Sequence, residues 1–402
     1  MLARQRIVVR EAVWVKRSTE RILVTHTGSL PRPARVAEAF SSPGDVGDVE
    51  LAGLVQEAVR AVVRRQIEAG VDVLNDGEMS KEGYSTYVRR RLTGFDGQAQ
   101  GVIELADMAD FPGFLESWSA RFGQDVGAVL RPPACNGDIT VSDPGAVQTD
   151  IDNLRAGLDG VEAEDVFISA ASPGVIAAFF ANHHYPDRES YLVAIADAMR
   201  PEYEAITDAG FVLQLDCPDL AMCRHLQFSA LSTEEFRDEA RRDVEILNYA
   251  TANIDPDHMR MHLCWGNYEG PHHKDIPLAD IIDIVLAARP NGLVFEAANP
   301  RHAHELAVFE DVKLPEGKVL MPGVVDSTIN YIEHPELIAQ RLVRFGGLVG
   351  AENVLAATDC GFGTFAGYDS VHPDIAWAKL AAMAEGARLA TRQLRGVGTG
   401  SP

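Results

Sequence analysis

The heptapeptide MHLCWGN places His262 and Cys264 two residues apart at the end of the mixed apolar and polar run PDHMRMHL. Glu296 closes a later apolar run, GLVFEA, and Cys360 closes another, within ATDCGFG. One imidazole, two thiols and a carboxylate make a donor set that suits zinc, which takes nitrogen, sulfur and oxygen ligands in a tetrahedron. Side chains alternate along a strand, so His262 and Cys264 share a face if the run is extended. The plainer reading is a hydrogen-bonded core histidine with two cysteines acting as small buried hydrophobes. The matching positions of Glu296 and Cys360 at the ends of separate runs favour the metal.

Ligand charge limits what such a metal would do. Two thiolates and a carboxylate outweigh a divalent ion and leave a net charge of about −1. A site of that charge is weak at polarising carbonyls or acidifying water, compared with histidine-rich hydrolytic zinc. It suits the binding of a substrate thiol as thiolate at neutral pH, with the sulfur still electron-rich enough to attack carbon.

The elements that must position these residues are legible as eight short apolar, β-branched runs: ILVTHTG (22–28), VDVLNDG (71–77), VFISAA (166–171), FVLQLDC (211–217), HMRMHLC (258–264), GLVFEA (292–297), KVLMPGVV (318–325) and NVLAATDC (353–360). Between most of them lie stretches with apolar residues at three- and four-residue intervals, such as 51–70, 235–254, 278–290 and 335–350, which predict helices. Strands alternating with helices eight times predict an α/β fold of the (β/α)8 TIM barrel type, whose active sites sit at the C-terminal ends of the strands. The gap from 78 to 165 is long and reads as an insertion after the second strand; its paired prolines, in RPPACNGDI, argue against a central strand there. An open doubly wound sheet is the alternative, but no G-x-G-x-x-G follows an early strand. Residues 21–392 are read as one barrel domain, with residues 1–20 as a leader and 393–402 as a tail.

Composition narrows the function classes. The 402 residues are 46% hydrophobic and 24% charged, enough to bury a large core. With 59 acidic against 36 basic side chains the net charge is −23, which repels phosphate backbones and anionic lipid. Nucleic acid and membrane are therefore poor partners. Five scattered cysteines (Cys135, Cys217, Cys223, Cys264 and Cys360) do not make a disulfide framework and point to a reducing, cytoplasmic setting. No apolar run reaches the roughly 18 residues of a membrane span. The basic start, MLARQRIVVREAVWVKRSTE, is too interrupted by charge for a secretion signal.

At the candidate ligands the chain resembles the cobalamin-independent methionine synthase family, in its C-terminal catalytic barrel. The resemblance runs from about Ile22 to Ala387 through THTGSLPRP (25–33), NDGE (75–78), RPPACNGDI (131–139), LQLDCP (213–218), HLC (262–264), FEAANPR (295–301), PGVVD (322–326) and DCGFGT (359–364). It implies Zn2+ held by His262, Cys264, Glu296 and Cys360. It also implies that Thr27, Gly28, Ser29, Glu78 and Asp216 hold the amino-acid part of homocysteine. Glu78 could otherwise cap a helix, and Asp216 could bind a barrel arginine. The implied activity is an S-methyl or S-alkyl transfer in which a zinc-bound thiolate attacks a methyl or alkyl donor, giving methionine or another thioether. The implied partners are a small-molecule thiol and that donor, free or on a carrier protein, with a homo-oligomer left open.

Departures from the family fall on the donor side. Its Asp-Glu-Pro reads Asp216-Cys217-Pro218, its proton-donating histidine aligns with Thr328, its pterin-packing tryptophan falls near Ala171, and its Arg-Cys pair reads Ala128-Val129. Zinc and thiol activation carry over better than methyltetrahydrofolate does. Epoxyalkane:coenzyme M transferase, which resembles the same family, and a natural-product alkyltransferase are alternatives that use the same metal. A decarboxylase like uroporphyrinogen decarboxylase lacks a reason for the zinc ligands, and a closed zinc store would bind no thiol. The loops HHYPDRE (183–189) and GNYEGPHHKD (266–275) are open to two readings, as parts of the mouth or as solvated turns.

Overall fold

The computed structural model describes residues 15–41, 46–99, 105–122 and 133–396. Its strands are β1 (Val73–Leu74), β2 (Gly97–Gln98), β3 (Pro133–Cys135), β4 (Asp165–Ala171), β5 (Ala181–Asn182), β6 (Val212–Asp216), β7 (Met259–Leu263), β8 (Gly292–Phe295), β9 (Val319–Val325) and β10 (Ala357–Thr358). Seven of them form one parallel sheet in the order β1-β4-β6-β7-β8-β9-β10. The first run, ILVTHTG, supplies the closing stave. Val24 pairs in parallel with Ala356 beside β10, and its carbonyl accepts the Val73 N–H of β1 at 3.1 Å, so the two sheet edges meet across it. The fold is the expected α/β barrel, and all eight runs form staves.

The strands are buried along their whole length because helices cover the outside, as a parallel sheet requires. The expected helices are present at Asp48–Glu68, Thr233–Ala250, Leu278–Leu286 and Pro335–Val349. Local chemistry starts several of them. Ser232 and Glu235 form a reciprocal capping box ahead of Thr233, and Asp187 caps Arg188–Asp208 by accepting the Ser190 N–H.

Strands β2 and β3 of the insertion form a short three-stranded sheet, in the order β2-β3-β5, with β5 from the segment that follows β4. As the paired prolines suggested, this stretch gives the barrel sheet no strand, although β3 is the middle strand of the small sheet. Pro133 occupies its first position, where a missing N–H is tolerated. The insertion's helices, Ala106–Ala109 and Pro112–Phe122, lie against the loop that follows β7, where Met108, Trp118 and Tyr268 form a small apolar cluster. The segments read as leader and tail fall largely outside the described residues, as does Ala128-Val129. Within the leader, Val15 and Ser18 are buried at the barrel's other end, where Val15 N–H bonds Asp257 and the Ser18 hydroxyl bonds Val354. No described helix is long and apolar enough to cross a membrane.

Candidate active site

The floor of the mouth is a polar layer inside the barrel. Arg260 and His262 alternate with outward residues on β7 and so both point inward. The buried Arg260 guanidinium donates to Gln214 Oε1 and Thr25 Oγ1, each at 2.8 Å, and to the His26 carbonyl, and it lies 3.6 Å from the Phe167 ring centroid. Gln214, its register partner on β6, donates onward to Asp216 Oδ1 at 2.9 Å and to the Thr27 carbonyl. Asp216 pairs in register with His262, and Oδ1 stands 3.5 Å from His262 Nδ1. A carboxylate behind a histidine fixes its tautomer and leaves the other nitrogen, Nε2, facing the mouth.

Three of the four expected ligands converge there. His262, Cys264 and Cys360 are all buried, and one ligand atom from each lies within 4.8 Å of the others. The Cys264 and Cys360 sulfurs are 3.1 Å apart, and Cys360 Sγ is 3.7 Å from both His262 Nε2 and Glu296 Oε1. The edges of a zinc tetrahedron with sulfur and nitrogen ligands are about 3.5–3.8 Å, which the 3.7 Å separations match, while the two sulfurs stand closer than the ion would hold them. Glu296 stands at the border of the trio, with Oε1 accepting the Trp265 N–H and Oε2 accepting from Asn299 Nδ2, each at 2.8 Å. The bond from Cys360, then that from His262, hold Cys264 well below the usual thiol range, while burial and the Cys264 charge push Cys360 well above it. Burial alone would lower His262, but its bonds to Asp216 and Cys264 outweigh it and raise the imidazole to about 10.

A second layer ties the ligands together. Asp359, the neighbour of Cys360, accepts the backbone N–H groups of Ala297, Ala298 and Asn299 at 2.8–2.9 Å, together with Asn299 Nδ2 at 3.0 Å. The same Asn299 amide holds Glu296. One carboxylate thus locks the end of β10 to the turn that carries Glu296.

The residues expected to hold an amino acid gather beside this centre. Gly28 has φ +139°, and a Cβ there would sit 2.5 Å from Glu78 Oε1, so only glycine permits the approach. Glu78 itself sits at φ 57°, an uncommon backbone for a non-glycine residue and one that clusters at functional sites. Its Oε1 accepts from Ser169 at 2.7 Å, whereas Oε2 is buried with no hydrogen-bond partner. Burial raises the carboxyl above its ordinary value, against the pull of Lys81. The Thr27 hydroxyl is spent on the Thr358 carbonyl at 2.9 Å, and Ser29 Oγ lies 3.4 Å from the Gly363 N–H, so both residues brace the end of β10.

A model of the catalytic domain of cobalamin-independent synthases matches residues 127–387, more than half of the chain. The chain belongs to the cobalamin-independent synthase family. The methionine synthase of Saccharolobus solfataricus is 24% identical over 376 residues, covering 92% of this chain and 95% of that protein. That of Thermococcus kodakarensis is 23% identical over 370 residues, covering 91% and 93%. The fold matches the B12-independent methionine synthase from Shewanella sp. W3-18-1, solved in complex with selenomethionine, with a TM-score of 0.73 at 19% identity over 94% of this chain and 99% of that one.

Three of the positions expected to depart from the family lie among the described residues and are structurally quiet. Thr328 gives both its N–H and its hydroxyl to Asp326 Oδ1, at 2.7 and 2.8 Å. Ala171 is buried at the end of β4, its carbonyl accepting from the Tyr203 hydroxyl at 2.6 Å. Cys217 is buried with its sulfur 3.5 Å from the Leu215 carbonyl.

The sequence reading missed a buried network behind the candidate metal ligands. Asp275 stands 3.2 Å from His225 Nδ1, 3.1 Å from His272 Nδ1 and 3.0 Å from His302 Nε2. Glu305 takes the other nitrogen of His302 at 2.8 Å, and Asp107 accepts from the Tyr268 hydroxyl at 2.7 Å. The loop 266–275 is therefore part of the mouth. HHYPDRE is the solvated turn, with His183 and His184 exposed. The paired histidines and aromatics of GNYEGPHHKD were the available signal, but Asp275 had no marked partner in sequence.

Proposed function

We propose that this family member is a zinc-dependent S-methyl or S-alkyl transferase whose first substrate is a thiol, homocysteine foremost, and whose product is methionine or another thioether. The catalytic unit is residues 21–392. The observation that carries the reading is the convergence of His262, Cys264 and Cys360 at one mouth with Glu296 at its border. Zinc held by these four residues supplies stabilisation of a substrate sulfur as thiolate at neutral pH. The remaining work falls to the chain. Asp216 orients His262, and the Asp359 and Asn299 pair orients Glu296. Glu78 offers a buried, unpartnered carboxylate oxygen to an α-ammonium, which supports an amino-acid thiol over an anionic one such as coenzyme M. The names of the relatives agree with this choice.

Two measurements test the reading. Purified protein is expected to hold about one zinc per chain and the Cys264→Ala/Cys360→Ala double variant none; a double variant that keeps its zinc would sink the site. Glu78→Gln is expected to weaken homocysteine binding about tenfold, the worth of one charge-assisted hydrogen bond, with zinc content unchanged. Unchanged homocysteine affinity, or a wild type that prefers coenzyme M, would remove the amino-acid anchor and favour thiol addition to an epoxide.

A further inference from the structure

Three aromatic rings from three different loops meet at this mouth. Tyr84 follows β1, Phe179 ends the helix Pro173–Phe179 that follows β4, and Phe365 lies five residues beyond Cys360. Their centroids are 5.8 Å (Tyr84 to Phe179), 5.7 Å (Tyr84 to Phe365) and 6.5 Å (Phe179 to Phe365) apart. Phe179 is buried, while Tyr84 and Phe365 are partly exposed, so the cluster is a wall with a wetted face. The Tyr84 N–H bonds the Thr364 carbonyl, and the Thr364 hydroxyl accepts from Asn267, whose side-chain oxygen takes the Ser327 hydroxyl that in turn accepts the Cys360 N–H. The wall is thus bonded to the loop that carries a metal ligand.

We infer that this wall receives the methyl or alkyl donor and that the donor is an onium cation, a sulfonium or a quaternary ammonium. The inference rests on the transferase reading above and names its second substrate. Aromatic faces attract such cations. Three carboxyl groups, Asp216, Glu78 and Glu296, lie at this mouth, and Glu78 Oε2 is buried without a hydrogen-bond partner, while Lys81, Arg32 and Arg260 are each bonded to protein oxygens.

An onium donor needs no acid. The thiolate lone pair forms the new S–C bond as the C–S or C–N bond of the cation breaks. Its electron pair stays on the departing atom, which leaves as a neutral thioether or amine. The thiol's own proton has already gone to solvent.

The test uses the full-length, zinc-loaded protein with homocysteine and trimethylsulfonium, and titrates the metal-free protein with tetramethylammonium. Saturable formation of methionine and dimethyl sulfide is expected. Tyr84→Leu and Phe365→Leu are expected to raise KM for the cation and weaken tetramethylammonium about tenfold, with zinc content and homocysteine affinity unchanged. Tyr84→Phe should retain both. If homocysteine is methylated from a folate or a corrinoid but from no onium, or if the leucine variants leave cation binding unaltered, this inference falls and the transferase stands. If no thiol binds, both fall.

Discussion

Two buried clusters of histidine and acid lie at the same mouth, joined by Trp265, and their internal bonding is opposite. The Trp265 N–H holds Glu296, while its ring stacks on His302 at 4.2 Å between centroids. On one side His262, Cys264 and Cys360 bring nitrogen and sulfur donors within 4.8 Å of one another. On the other, His225, His272 and His302 outnumber the histidines of the first cluster, yet every ring nitrogen faces a neighbouring oxygen. The comparison teaches that convergence of unspent soft donors marks a candidate metal centre, whereas a larger count of histidines spent on carboxylates makes a brace. That brace fastens the loop 266–275 to the helix and turn carrying His225 and His302, and so supports the strand end from which Cys264 projects.

The sharpest way to break the comparison is to remove the central carboxylate. Asp275→Asn leaves three imidazoles without their common partner and is expected to cost about 3–5 kcal/mol of stability, the usual penalty for removing one side of a buried pair. Zinc per folded chain should stay unchanged. The Cys264→Ala/Cys360→Ala variant should do the reverse, losing the metal while the metal-free proteins unfold at similar denaturant concentrations. Loss of zinc in a folded Asp275→Asn protein would show that the brace is part of the metal centre.

A smaller effect is expected from pH, because it acts through individual histidines. Burial lowers His302, but its bonds to Asp275 and Glu305 prevail and raise it to about 10; His272 is raised in the same way, and the three histidines together hold Asp275 below the usual carboxylate range. A histidine with a raised folded pKa contributes stability that is complete below its unfolded value of about 6.5 and is lost as pH climbs through the folded value. Asp275 has the opposite sign, and its contribution is present above about pH 4 and lost in acid. Metal-free protein should therefore be most stable between about pH 4 and pH 6.5 as far as this network is concerned, and should weaken toward pH 10. His302→Gln should flatten the alkaline limb of a denaturation series; an unaltered limb would mean that His302 is neutral in the folded protein.

Much of the barrel was legible because each stave is a local pattern. A run such as VFISAA is apolar and β-branched whichever partner it finds, and β4 forms there. The convergence of the candidate ligands His262, Cys264 and Cys360 was legible for the same reason, since a residue at the end of a parallel strand has its position fixed by the fold. Asp216 was placed less well. It was expected to face an ammonium, and the structure sets it behind His262, a contact that depends on the register of β6 against β7. The brace was illegible because its bonds join Asp107, His225, Asp275 and His302, which no local periodicity relates. The aromatic wall was missed likewise, since Tyr84, Phe179 and Phe365 belong to separate loops and meet only when the barrel closes.

The smallest expected effect concerns the border between the two clusters, where Glu296 stands. Asn299 Nδ2 donates to Glu296 Oε2 at 2.8 Å and to Asp359 Oδ2 at 3.0 Å, so a single amide sets the distance between a candidate ligand and the residue next to Cys360. Asn299→Ala removes that tie but leaves the three converging donors in place, and partners of this kind typically change metal affinity about 10- to 100-fold. Zinc affinity, measured by competition with a chelator, should fall by that amount and not to zero. Asn299→Asp should be worse than alanine, because it sets a third carboxylate against Glu296 and Asp359. If both substitutions leave the affinity unchanged, Glu296 does not depend on Asn299 for its position, and the centre is a three-residue site with the carboxylate outside it.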